Sequence, residues 1–161
     1  MNFDKPTLRA TLGLFVTGVT IITCRDRDGA PVGITANSFN SVSLDPPLVL
    51  WSVGNNASSM EAFLHASHFA VHILSERQTD LANRFARSGT DKFEGLSFNE
   101  GLGRVPLLPD YAARLECTSY ANHAGGDHQI FIAEVSRLVS VPEARPLVFH
   151  GGRYSELADF D

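Results

Sequence analysis

Two turn signals split the strand-forming parts of this chain into hairpins, and this feature constrains its fold more than any other. Asp26-Arg27-Asp28-Gly29 separates the β-branched run Val16–Cys24 from Pro31–Asn37. Gly125-Gly126-Asp127 separates Arg114–His123 from Gln129–Val141. Strands joined by so few residues pair antiparallel, because a parallel return needs a crossover of about a dozen residues or more. In Arg114–His123, Leu115, Cys117 and Ser119 alternate with Glu116, Thr118 and Tyr120, the period of a strand with two unlike faces. Leu48–Val53, after the Pro46-Pro47 break, and Phe69–Leu74 are short apolar runs that read as buried strands, and Pro146–Tyr154 is expected to close the sheet.

The helical signals are few and are not interleaved with the strands. Asp4–Leu14 reads as a short helix with an Asp cap and Pro6 in its first turn. Ser58-Ser59-Met60-Glu61 has the form of a capping box, followed by Met60, Phe63 and Leu64 on one face. Ser75-Glu76-Arg77-Gln78 has the same form and opens a helix through Arg87, with Leu81 and Phe85 four apart. Gly95–Tyr111 reads as a long irregular connection, a kind of segment that usually serves function or contacts. A doubly wound sheet would need a helix between successive strands. The order found here points to an α+β, mainly β, barrel with a few short peripheral helices, built as a single domain over residues 1–161.

Composition narrows the partners. A net charge of −5 offers no broad basic field for nucleic acid or an anionic membrane, although a local anion site needs only backbone N–H groups, hydroxyls and one or two cations. The apolar run Leu12–Cys24 ends in cysteine as a leader peptide might, but Asp4 and Pro6 precede it, and Gly13, Thr17, Gly18 and Thr20 interrupt it. It is too short to span a membrane. A cytoplasmic protein is expected, with Cys24 and Cys117 as buried free thiols.

Neither a Gly-x-Gly-x-x-Gly after a strand, nor a phosphate-binding Gly-rich loop ending in Lys-Ser/Thr, nor Gly-x-Ser-x-Gly occurs. His65, His68 and His72 straddle a helix end and a strand without a carboxylate at ligand spacing, so no metal site is expected. Three segments remain. Gly33–Phe39 ends a strand with small Ala36, which lets a flat ring approach, then Asn37 and Ser38; an amide both donates and accepts and can read a heterocycle's edge. The same residues would equally serve an ordinary turn. Ser58 and Ser59 at a helix start suit a phosphate or simply cap the helix, with Arg84, Arg87 and Lys92 as possible cationic partners. Asp127 beside His128 can orient the imidazole, and His150 lies in a second candidate segment, Phe149–Tyr154; each histidine is otherwise a polar strand-end residue.

Taken together the chain resembles the short-chain flavin reductase family, the small partners of two-component flavin-dependent monooxygenases. The resemblance runs from about residue 5 to 155. It is carried by Phe15–Thr20, Gly33–Phe39, Ser41–Leu50 with its Ser-Leu-Asp-Pro-Pro core, Ser58-Ser59, Phe85-Ala86, Asp91-Lys92-Phe93, Gly126-Asp127-His128 and Phe149–Tyr154. Val16 departs from the proline many members carry there. The resemblance implies a split β-barrel that binds FMN or FAD, reduces it with NADH or NADPH, and forms a homodimer. A lone barrel of 161 residues encloses little room for two nucleotides, which also favours a dimer completing the site. Carried over, Thr35, Ala36, Asn37, Ser38 and Phe39 would line the isoalloxazine and ribityl chain, with Val53 against the ring. Ser58 and Ser59 would hold the phosphate with Arg87 nearby, and Phe85 and Phe93 would flank the nucleotide. His128, the expected catalytic residue, would shape the nicotinamide pocket with His150, Gly151, Arg153 and Tyr154. The reduced flavin would pass to a monooxygenase component, by diffusion or in a complex. A split-barrel protein that keeps its flavin and acts on another substrate, or a non-catalytic flavin- or haem-binding module, are the alternatives.

Overall fold

In the computed structural model, which describes residues 2–89 and 91–158, the N-terminal helix α1 (Lys5–Leu12) is capped as expected: the Asp4 carboxylate accepts from the Thr7 N–H at 2.9 Å. The run expected as one strand breaks at Val19, giving β1 (Thr17–Gly18) and β2 (Thr20–Arg25) in different sheets. The Asp26 carboxylate accepts from the Asp28 and Ala30 N–H groups at 3.0 and 2.7 Å, Gly29 takes φ +82°, and the chain returns as β3 (Pro31–Ala36). Then come β4 (Asn40–Leu44), β5 (Pro47–Gly54), α2 (Met60–His65), β6 (His68–Ile73), a 3-10 turn Glu76–Gln78 and α3 (Thr79–Ala86). The remaining elements are β7 (Asn99–Glu100), β8 (Pro106–Leu107), the long hairpin β9 (Ala113–Gly125) and β10 (His128–Ser140), and a final pair β11 (Val148–His150) and β12 (Arg153–Ser155).

Seven strands form one antiparallel sheet in the order β3-β2-β6-β9-β10-β5-β4. Laid flat, its edges would stand about 29 Å apart at ordinary strand spacing. Yet the edge strands β3 and β4 are consecutive in the chain, and the four Cα steps from Ala36 to Asn40 reach at most about 14 Å. The sheet must therefore curl into a barrel with an unpaired seam, the split barrel expected. Ser38 in the link pins the seam to β5: its Oγ accepts from the Ser52 N–H at 3.0 Å. β4 is a strand that the local sequence, Asn-Ser-Val-Ser-Leu, does not announce; it exists because β5 is there to pair with it.

Trp51 of β5, Phe69 of β6, Phe131 of β10 and Phe63 of α2 fill the barrel, with Trp51 4.9 Å from Phe69 edge-on and 5.9 Å from Phe131 stacked. Truncating a ring of this kind costs roughly 3–5 kcal/mol. A second cluster of Val19, Ile21, Leu74, Ala82, Phe85 and Leu108 lies outside the barrel wall beneath α3. β2 is sandwiched between the two, which is why Thr20–Cys24 is buried on both faces and reads as a continuous β-branched run.

Three expectations need correction. Pro146–Tyr154 does not close the barrel: β11 pairs with β1 and β12 in a separate three-stranded sheet, because Leu147 is drawn into the outer cluster. The Ser58 capping box does not form, since the helix is only Met60–His65 with Ser59 at its cap and no side-chain cap bond; the Met60 N–H goes instead to the Ala57 carbonyl at 3.0 Å. Leu64, expected on the apolar face, is exposed, whereas Phe63 and its neighbour Ala62 are buried in the core and Met60 packs against it. The Gly95–Tyr111 stretch is a strap on the barrel wall. The Thr23 hydroxyl donates to the Pro106 carbonyl at 2.6 Å, and the Leu102 N–H donates to the buried Glu116 carboxylate at 2.7 Å. No helix among the described residues is long and apolar enough to cross a membrane.

Candidate functional site

At the seam, a cleft of about 570 Å³ opens between the end of β3, the end of β5, the start of β10 and the C-terminus of α3. Each wall has a local cause. β3 ends in Thr35 and Ala36, and Thr35 spends its hydroxyl on the Ala82 carbonyl of α3 at 2.6 Å, so it braces α3 against the barrel and offers the cleft only its remaining surface. Asn37 and Ser38 follow, exposed at the rim. Val53 and Gly54 of β5 form the floor beside Ile130 of β10. At the far end Ser58 and Ser59 face Arg87, the C-cap of α3, and Lys92.

Cross-strand register sets His128. It pairs with Gly54 on one side and Gly125 on the other, so no neighbouring side chain covers the ring. A Cβ added at Gly54 would stand 3.8 Å from Nε2, so the missing side chain is what leaves the imidazole open to the cleft. Nδ1 donates to the Asp127 carboxylate at 2.7 Å, and that hydrogen bond holds the Asp127 carboxyl below its ordinary value.

Lys92 is half-buried and donates to the Gly33 and Phe85 carbonyls at 3.0 and 2.8 Å. Burial lowers its pKa from the ordinary lysine value. Below it Phe85 packs edge-on to Phe93 at 5.0 Å, and a Cβ at Gly33 would meet the Phe85 ring at 2.6 Å, so this strand position admits only glycine without displacing the ring. Arg84, by contrast, turns to the Glu94 carbonyl and does not reach the cleft.

Of the residues singled out from the sequence, Thr35, Ala36, Asn37, Ser38, Val53, Ser58, Ser59, Phe85, Arg87 and His128 line this one cleft. Phe39 packs against the barrel interior instead, and Phe93 lines a smaller adjoining cavity. His150, Gly151, Arg153 and Tyr154 belong to the β11–β12 hairpin, which sits against α1 through the Gly151 N–H to Gly13 carbonyl bond at 2.9 Å and lines no part of the cleft in the same chain. Ser52, Gly54, Gly125 and Ile130 were not legible as site residues, because only cross-strand pairing brings them beside His128 and Ser38. Among the described residues no group of three histidine, cysteine or acidic side chains converges. His72 is buried, its Nδ1 donating to the Ile21 carbonyl and its Nε2 accepting from the Leu108 N–H.

Residues 12–158 match the protein family described as "Flavin reductase like domain". The chain is 44% identical over 155 residues to the FMN reductase (NADH) SmoA of Agrobacterium fabrum, covering 96% of this chain and 87% of that protein. It is 44% identical to the reductase component of the flavin-dependent trigonelline monooxygenase of Acinetobacter baylyi, covering 91% of this chain but only 47% of that longer protein. Among solved structures, the Streptomyces globisporus NADH:FAD oxidoreductase SgcE6, crystallised with NAD and FAD fragments, superposes with a TM-score of 0.90 at 38% identity, over 96% of this chain and 93% of that one.

Proposed function

This chain belongs to the flavin reductase-like family and is an NAD(P)H-dependent flavin reductase, and we propose that it carries out its reaction in the cleft at the barrel seam. The observation that carries this reading is the convergence of an open imidazole, a small-residue floor and a hydroxyl–cation end within one cavity. The residues present fit a flavin. Ala36 and Gly54 leave room for a flat ring, Asn37 and the Ser38–Ser52 pair offer donors and acceptors to its edge, and Ser58, Ser59, Arg87 and Lys92 suit a phosphate. A bound flavin accepts a hydride from C4 of the nicotinamide, chemistry that belongs to the two cofactors.

The chain's own contribution is placement. The seam walls hold one ring, and His128, with Nδ1 tied to Asp127, presents Nε2 to whatever lies above Gly54. No group has to donate or remove a proton for hydride transfer, which suits a site without a catalytic triad. Asn37, Ser38 and Arg87 are exposed at the rim, so flavin enters and leaves as a substrate; the reduced product then supplies a flavin-dependent monooxygenase component, the role named for several relatives. The purified protein is expected to consume NADH or NADPH steadily only when FMN or FAD is added. Consumption no faster than in a protein-free control, at saturating flavin, would defeat the reading.

The β11–β12 hairpin enters as a dimer element. Beside it the exposed Leu12, Leu14 and Phe15, at 64%, 71% and 74% of full accessibility, form an apolar surface next to Val16 that a second copy would cover. A homodimer joined there would bring His150, Gly151, Arg153 and Tyr154 toward the partner's cleft, on the nicotinamide side. The wild type is expected to sediment as a dimer, and the Leu14→Glu/Phe15→Glu double variant as a monomer. An unchanged sedimentation coefficient in the double variant removes this surface from the interface.

A further inference from the structure

We propose that the cavity between α1 and the β11–β12 turn takes the adenosine 2′-phosphate of NADPH on Lys5 and Arg9, so that this reductase uses NADPH at a lower KM than NADH. This deepens the reading of the seam cleft as the hydride-transfer site and rests on it. Two relatives are named for NADH, so a preference for NADPH would belong to this chain's own residues and is no carry-over from theirs.

At about 530 Å³ the cavity nearly equals the seam cleft, and no step described above uses it. Its walls come from two elements. Lys5, Pro6, Arg9 and Ala10 stand at i, i+1, i+4 and i+5 on one face of α1. Gly151 and Gly152 of the turn lie opposite, tied to the helix end by the Gly151 N–H to Gly13 carbonyl bond. Both take positive φ, +57° and +79°, and a Cβ on either would meet nothing within 4 Å, so no side chain crowds the floor.

The chemistry of these walls suits a phosphate monoester joined to a flat base. Among the described residues no carboxylate lines the cavity, and neither the Lys5 ammonium nor the Arg9 guanidinium has a hydrogen-bond or ion-pair partner. Asp4, next to Lys5 in the chain, is outside the wall and accepts from the Thr7 N–H at the helix cap. A guanidinium fork and an ammonium on successive turns can hold a phosphate dianion together. Pro6, Ala10 and the glycine backbone add apolar surface for a purine.

The position suits the far end of a nicotinamide nucleotide. The turn joins His150 to Arg153, both assigned above to the nicotinamide side of the cleft. On the helix side, the Asp127 carboxyl, held below its ordinary value first by the His128 hydrogen bond, also feels the charge of Lys5. The cavity is thus bounded by the two features that flank the nicotinamide. Leu8 and Leu12, both exposed, point about a third of a turn away round α1, so a second copy covering them need not cover this face. NADPH differs from NADH only by the phosphate on the adenosine ribose, so two unpaired cations here separate the nucleotides where the hydride-transfer site does not.

The flavin also carries a phosphate, so the test must separate the two sources. The whole protein is assayed with NADPH and with NADH at saturating FMN, and FMN is titrated separately without either nucleotide. The wild type is expected to show a KM for NADPH at least about fivefold below that for NADH. The Lys5→Gln/Arg9→Gln double variant is expected to raise the NADPH KM about tenfold and to leave the NADH KM, both kcat values and FMN affinity unchanged. As competitors of NADPH, 2′-AMP is expected to outdo 5′-AMP in the wild type and to match it in the double variant. A wild-type KM for NADPH equal to or above that for NADH overturns the proposal, as does equal competition by the two adenylates in the wild type. A double variant that shifts both KM values by the same factor, or shifts neither, overturns it as well. Loss of FMN affinity in that variant does so too, by giving the cations to the flavin's own phosphate. Oxidation of NADH but not NADPH overturns this proposal and leaves the seam cleft standing; oxidation of neither with flavin present removes both.

Discussion

His128→Ala is expected to slow hydride transfer by on the order of 10²-fold while leaving flavin affinity nearly unchanged, because the imidazole acts by positioning. The residues directly opposite it on both adjacent strands, Gly54 and Gly125, carry no side chain, and its Nδ1 bond to Asp127 keeps Nε2 toward the cleft. Removing it leaves the nicotinamide free to tilt above the flavin, and a misplacement of about 1 Å in such a reaction is enough to cost a factor of that size. Asp127→Asn should have a smaller effect of the same kind, since Asp127 is almost fully exposed and water competes for its carboxylate. Single-turnover rates and flavin titrations on the variant separate the two roles. If rate and flavin affinity fall by the same factor, His128 is a wall of the flavin pocket and the positioning role is wrong.

The second large effect concerns stability. His72→Ala is expected to cost about 4 kcal/mol, combining the lost packing of a fully buried ring with two backbone groups left without partners, and to lower the melting temperature by roughly 10 °C. The hydrogen bonds determine the ring's protonation. The Ile21 carbonyl can only accept, so Nδ1 carries the proton; the Leu108 N–H can only donate, so Nε2 must stay bare. Burial, partly offset by the Ile21 bond and helped by nearby Arg114, pushes the pKa down from the ordinary 6.5 to about 3. A depressed value means the stabilisation is complete above about pH 6.5 and declines as the pH falls toward 3, since the unfolded chain takes up the proton first. At pH 5 the stability difference between wild type and His72→Ala should therefore be about 2 kcal/mol smaller than at pH 8. Denaturant titrations at the two pH values measure it, and a difference independent of pH would show that His72 takes up its proton in the fold as readily as in the unfolded chain.

His72 also marks where reading the sequence reached its limit. It was weighed as a metal ligand because its type allows that, whereas its role as a clasp between β6, β2 and the 95–111 strap depends on contacts with residues 51 before and 36 after it. Signals carried by neighbouring residues survived into the structure: the Asp4 cap, the Asp26–Gly29 turn, and the strand end at Ala36 and Asn37. The barrel itself was legible in outline, because hairpins without interleaved helices permit little else. The features that escaped are those set by pairing across the sheet. β4 has no pattern of its own, and Gly54 matters because register places it beside His128; Lys92 was named as a candidate cation, but the Gly33 and Phe85 carbonyls that hold its ammonium are brought to it only by tertiary packing. The Ser58-Ser59-Met60-Glu61 signal failed for a local reason, the Ala57 carbonyl taking the Met60 N–H that a cap would have served, yet both serines still line the cleft.

The central claim, that this barrel moves hydride from a nicotinamide to a flavin that comes and goes, is tested most directly under anaerobic conditions. Protein, a several-fold molar excess of FAD, and NADH in excess over the flavin are mixed and followed in the visible range. The account predicts that the whole flavin pool bleaches, several flavins for each protein molecule, at a rate proportional to protein and far above that of NADH and FAD alone. Bleaching that stops after one flavin per chain, or that proceeds no faster than without protein, would contradict it.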